Sequence, residues 1–151
     1  MKKIFLAMLL LSLSLWADSV YIKTYDTPIS KIYPKLLAAL DNTGFIVISE
    51  IDILAKFKAA GLPKAFGKKF NTNNLTGMKA VIVCNAWFGN EIANNDPLMM
   101  AFCPVRVTLI ERDGKTSIMY VRPSVAPEDS KAYLLLKKLE QKVISAVENA
   151  H

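Results

Sequence analysis

A two-layer α+β domain, about five strands with a C-terminal amphipathic helix packed on the sheet, is the fold this sequence predicts. Three observations carry that reading. Short apolar runs interleave with helical periodicity, an Asp-Gly pair late in the chain separates two alternating segments, and the chain closes on a long segment with one apolar face.

Met1, Lys2 and Lys3 precede an apolar run, Ile4 to Trp16, with Ala17 before Asp18. At 1.5 Å per residue this run covers roughly 20 Å, too short for the hydrocarbon core, so residues 1–17 read as a signal peptide cleaved near Ala17. The expected product is a single periplasmic or secreted domain, residues 18–151, and loss of Lys2 and Lys3 lowers the net charge from +6 to +4. Val20 to Tyr25 alternates as a strand. Thr27-Pro28 opens a helix that runs through Leu36 and Leu40 and stops at Gly44, with Pro34 inside it. Phe45 to Ile51 is a continuous apolar strand, and Asp52 caps a short helix through Ala60 that Gly61-Leu62-Pro63 ends. Pro63 to Gly77 is polar and irregular. Val81 to Cys84 reads as a short buried strand and Glu91 to Asn95 as a short helix. Val105 to Glu111 and Thr116 to Val121 flank Asp113-Gly114, a pair suited to a tight primed turn. Glu128 to Asn149 carries Leu136, Leu139, Val143 and Val147 on one face, the expected covering helix.

Composition narrows function mainly by exclusion. With 52% hydrophobic residues and only 6 Gly and 7 Pro in 151, the chain is neither disordered nor collagen-like. It has one histidine, His151, and two cysteines, so a Ser/His/Asp triad, an H-E-x-x-H helix or a multi-ligand zinc site cannot be built from it. No catalytic constellation emerges. Glu50, Asp52, Glu91, Asp96 and Glu111 lie near element ends, where capping and turn roles account for them.

The order of several residues resembles the family called domain of unknown function 302. Gly44-Phe45 opens a strand running to Glu50-Ile51-Asp52. Val83-Cys84-Asn85, Asp96-Pro97, Cys103-Pro104 before Val105-Arg106-Val107, and a hairpin at Asp113-Gly114 ending near Arg122-Pro123 follow in order. Ala86 and Phe102 stand where the family often has proline. The resemblance implies a compact α+β fold and a homodimer, and supplies no activity.

Cys84 and Cys103 are the best candidates for chemistry. In an oxidising compartment a bridge between them would close a loop of about twenty residues, with a chain-entropy contribution of roughly 3 kcal/mol. They also read as inert buried thiols, or as a redox pair. With Met99 and Met100 within five residues of Cys103, a soft Cu(I) site is a further reading. Asn85, Trp87 and Asn90, with Arg106, form a kit for holding a small polar ligand. Between Asp52 and Glu91 there is no acid, while Lys56, Lys58, Lys64, Lys68, Lys69 and Lys79 fall there among Phe57, Phe66 and Phe70. That segment could meet an anionic membrane surface; nucleic acid is not an expected partner of an exported chain. The sequence thus supports a non-catalytic module binding a small ligand or a protein partner, the alternative being a periplasmic thiol-redox or Cu(I)-handling protein.

Overall fold

The computed structural model describes residues 19–151; the expected leader, residues 1–17, lies outside the described residues. Five antiparallel strands form one sheet in the order β1-β5-β4-β3-β2, from β1 (Val20–Tyr25), β2 (Ile46–Asp52), β3 (Gly77–Cys84), β4 (Val105–Arg112) and β5 (Lys115–Val121). Helix α1 (Ile29–Asn42) and the C-terminal helix, here α5 (Tyr133–Glu148), pack together over one face. The α+β fold with its covering helix is as the sequence predicts.

Strand alternation explains the core. Val81, Val83, Val105, Val107, Leu109, Ile118 and Tyr120 point toward the helices and are buried with Ile32, Leu36 and Leu40 of α1 and Leu136, Leu139 and Val143 of α5. The hairpin holds as read: Arg112 pairs with Lys115, and Asp113 and Gly114 both have positive φ (53° and 72°), the signature of a type I′ turn. Asp52 accepts a hydrogen bond from the Ala55 N–H at 2.9 Å and caps α2 (Ile53–Ala59).

Several boundaries differ, each for a physical reason. Thr27 does not cap α1. The cap position is Pro28 with no side-chain bond, and the Ile29 N–H donates instead to the Glu111 carboxylate of β4 at 2.7 Å. Pro63 does not simply end α2; it enters the first turn of a further short helix, α3 (Leu62–Phe66), where its missing N–H costs nothing. The short helix expected at Glu91 to Asn95 starts earlier, as α4 (Ala86–Asn95), because the Asn85 side chain accepts from the Phe88 N–H. The C-terminal helix starts later, at Tyr133, since Ser130 is held by the Asp96 carboxylate at 2.6 Å in the preceding turn. Strand β2 is not buried but forms the sheet edge: Ile46, Val47 and Ile48 are exposed, and a register shift between Val47 and Ser49 breaks the ladder, a common protection of edges. Among the described residues no helix is long and apolar enough to cross a membrane.

The other edge, β1, is tied to α5 by charge. Glu148 accepts from the Lys23 ammonium at 2.8 Å and from the Tyr21 hydroxyl, and these bonds hold its carboxyl below the ordinary glutamate value. A carboxyl depressed in the folded state contributes stability above its unfolded pKa and loses it as pH falls through the folded value. Amide protection factors in β1, corrected for the intrinsic pH dependence of exchange, are therefore expected to fall on acidification below the usual carboxylate range, and Glu148→Gln should show modestly lowered protection at neutral pH with little further acid response. Equal acid profiles in the two proteins would contradict this.

Candidate functional site

The face of the sheet opposite α1 and α5 is only partly covered. Helix α2 packs on β3 and buries Leu54 and Ala80 there. Toward the other side of this face, apolar residues remain accessible: Val20, Ile22 and Val121 are exposed, and Met119 is half-buried. They alternate with Tyr21 and Tyr120, whose rings lie 5.9 Å apart beneath the sheet.

A pocket of about 440 Å³ opens on this face. Its walls come from three strands and the 3₁₀ turn Pro97–Phe102, which brings Phe102 alongside Val20, Pro104, Met119 and Val121. Arg106 of β4 is the charged residue in the lining, with the Thr108 hydroxyl two residues further along the same face, and no carboxylate lines it. Among the described residues Arg106 makes no hydrogen bond or ion pair. The volume falls within the range of small-molecule sites, and apolar walls with one convergent charge are their usual chemistry. A larger hollow of about 680 Å³ at the hairpin end is lined by Arg112, Asp113 and Lys115. There Arg112 pairs with Asp113 at 3.6 Å and Lys115 with Asp26 at 2.7 Å, so both cations are compensated.

The residues grouped by the sequence are separated here. Arg106 enters the pocket, whereas Asn85, Trp87 and Asn90 belong to α4 and its cap and do not line it. Asn85 is spent on structure: its amide donates to the Gly44 carbonyl at 2.9 Å while its oxygen caps α4. Trp87 is exposed and meets Phe88 edge-on at 4.8 Å, and Asn90 donates to Glu91. The apolar walls escaped sequence reading, although one signal was present. Val20, Ile22, Met119 and Val121 put apolar side chains on the second face of strands whose first face already carries the core.

Cys84 and Cys103 are both half-buried and stand unbridged in this structure. Burial, with the neighbouring Cys84 adding to it, pushes the Cys103 thiol up to about 11. At neutral pH it stays protonated, a small hydrophobe against the core, where Met99 also packs; Met100 points outward. Among the described residues no three His, Cys, Asp or Glu side chains gather in one place. The carboxylates are engaged in the fold: Glu50 takes the Tyr33 hydroxyl at 2.8 Å, Asp96 caps the 3₁₀ turn, and Glu111 caps α1 and holds Thr76.

The profile described as "Domain of unknown function DUF302" matches residues 21–150. The crystal structure of an uncharacterised conserved DUF302 protein from Bacillus stearothermophilus superposes with a TM-score of 0.76 at 19% identity, covering 89% of this chain and 99% of that one. No curated protein matches.

Proposed function

Given that the chain belongs to the DUF302 family, a family of unknown function, we propose that it is a non-catalytic binding module holding a small amphipathic anion on the open face of its sheet. The observation that carries this is the unpaired Arg106 guanidinium in an otherwise apolar 440 Å³ pocket. An accessible apolar wall alone selects for area; a single cation beside it adds a preference for a ligand with an anionic end and a hydrocarbon body. Phe102, Met119 and Val121 would cover the body, and Arg106, assisted by Thr108, would face the head group. The thiol-redox alternative is weaker, because burial raises the Cys103 thiol and so disfavours the nucleophilic thiolate.

Calorimetry with decanoate, and with decanol as its uncharged counterpart, tests the reading. Decanoate should bind more tightly than decanol, and Arg106→Ala should weaken decanoate by up to about fivefold while leaving decanol nearly unchanged, since Arg106 is exposed and an ion pair in such a setting is worth about 0.2–1 kcal/mol. Equal binding of both probes, or an Arg106→Ala protein that binds decanoate as before, would sink it.

A further inference from the structure

A second surface, built from a different part of the chain, carries its own chemistry. After β2 the chain leaves the sheet through α2, α3 and the 3₁₀ turn Gly67–Lys69. In this segment the apolar anchor is Leu54, buried against the sheet side, while almost every later residue is exposed. Five of those exposed residues are lysines, Lys56, Lys58, Lys64, Lys68 and Lys69, and the segment contains no acid. None of the five makes a hydrogen bond or ion pair among the described residues; the nearest acid in sequence, Asp52, is engaged by Ala55 and by Lys79. Uncompensated like charges at this density are a cost to the isolated domain, which a polyanionic surface would relieve.

Two aromatic side chains sit among these lysines. Phe57 is 39% and Phe66 57% exposed, so both rings are accessible to a partner. Lysine beside exposed phenylalanine on short helices is the combination that lies in a bilayer interface, the ammonium groups among anionic head groups and the rings at the acyl boundary. A nucleic-acid duplex, with its bases already stacked, or a uniformly acidic chain would satisfy the lysines but give the phenylalanines little hydrocarbon to enter. From the charge complementarity and the two exposed phenylalanines we infer that residues 53–69 dock this protein onto the surface of an anionic phospholipid bilayer.

The test is co-sedimentation of the full-length chain with vesicles of phosphatidylcholine, with or without phosphatidylglycerol, at low and high salt. All proteins compared carry Lys2→Gln and Lys3→Gln, so that the apolar run Ile4 to Trp16 partitions into either vesicle without those two cations, and the readout is the preference for the anionic one. Each lysine near such a surface adds about fivefold to partitioning. The expected preference is therefore at least about a hundredfold at low salt, falling steeply at high salt. Joint replacement Lys56→Gln, Lys58→Gln, Lys64→Gln, Lys68→Gln and Lys69→Gln should abolish the preference, and Phe57→Ser with Phe66→Ser should reduce it severalfold. These side chains are exposed, so circular dichroism should confirm unchanged folding. A preference that is absent, or that survives lysine neutralisation, overturns the inference. So does polyglutamate competing the chain off the vesicles while the double Phe→Ser protein binds them as well as its parent, which would identify an acidic macromolecule as the occupant.

Discussion

Glu140→Ala is expected to lower the unfolding free energy by about 2 kcal/mol, because it leaves Arg122, three-quarters buried, and a part-buried amide without their partner. Glu140 lies on α5 and is only 5% exposed in its side chain; one carboxylate oxygen accepts from the Arg122 guanidinium at 3.0 Å and the other from the Ser124 N–H at 3.0 Å. Arg122 also lies over the Tyr21 ring at 5.4 Å, and its Nε is already buried without a partner. Losing the carboxylate would leave a guanidinium and a backbone amide unsatisfied together. The cluster joins the end of β5 to α5 beside Pro123 and Val121, which line the pocket, so decanoate binding should weaken as well. Urea denaturation of the Glu140→Ala protein checks the first part. The double replacement Arg122→Met with Glu140→Leu should be more stable than Glu140→Ala, since an apolar pair removes the stranded charge. A loss under about 1 kcal/mol would show that the pair is not the clamp described.

Phe45→Ala is expected to cost about 4 kcal/mol, near the top of the range for a large side chain removed from a core. Phe45 is 1% exposed and is among the largest fully buried side chains. Its position is set by how α1 ends. Gly44 adopts a φ of +83°, its N–H donates to the Asp41 carbonyl at 2.8 Å, and the Phe45 N–H reaches back to the Leu40 carbonyl at 3.0 Å. This is a Schellman stop, with Phe45 and Leu40 sharing the core. A methyl group at Gly44 would meet both a strained φ and the Asn85 amide at 3.2 Å, so Gly44→Ala should also destabilise, by a smaller amount. Thermal denaturation of the two variants should rank them Phe45→Ala below Gly44→Ala; the reverse order would contradict the packing account.

Much of the architecture was legible because it is decided locally. The Asp113-Gly114 turn needs two residues that tolerate positive φ, and the Asp52 cap needs a carboxylate three residues before a free amide. The C-terminal helix needs apolar residues at 3.6-residue spacing. None of these depends on where the rest of the chain goes. The start of α4 was missed because Ala86 and Trp87 lack apolar periodicity, and only the bond from Phe88 to Asn85 shows the helix already formed there.

The pocket belongs to the other category. Sequence reading singled out Arg106 but grouped it with Asn85, Trp87 and Asn90, its neighbours through one predicted strand end. In the folded chain its companions are Val20, Phe102, Met119 and Val121, assembled by the pairing of β1 with β5 and of β5 with β4.

What the amino-acid order determined unaided was which segments are strands or helices, which face of each is apolar, and that residues 53–69 carry positive charge without acids to balance it. Only the tertiary structure decided that β2 is an edge, that Glu111 rather than Thr27 serves α1, and that one unpaired guanidinium stands among apolar walls. The physical reason is range: turns, caps and amphipathic periodicity are energies between residues a few positions apart, whereas strand order, burial of an edge and the closing of a pocket depend on pairings across most of the chain.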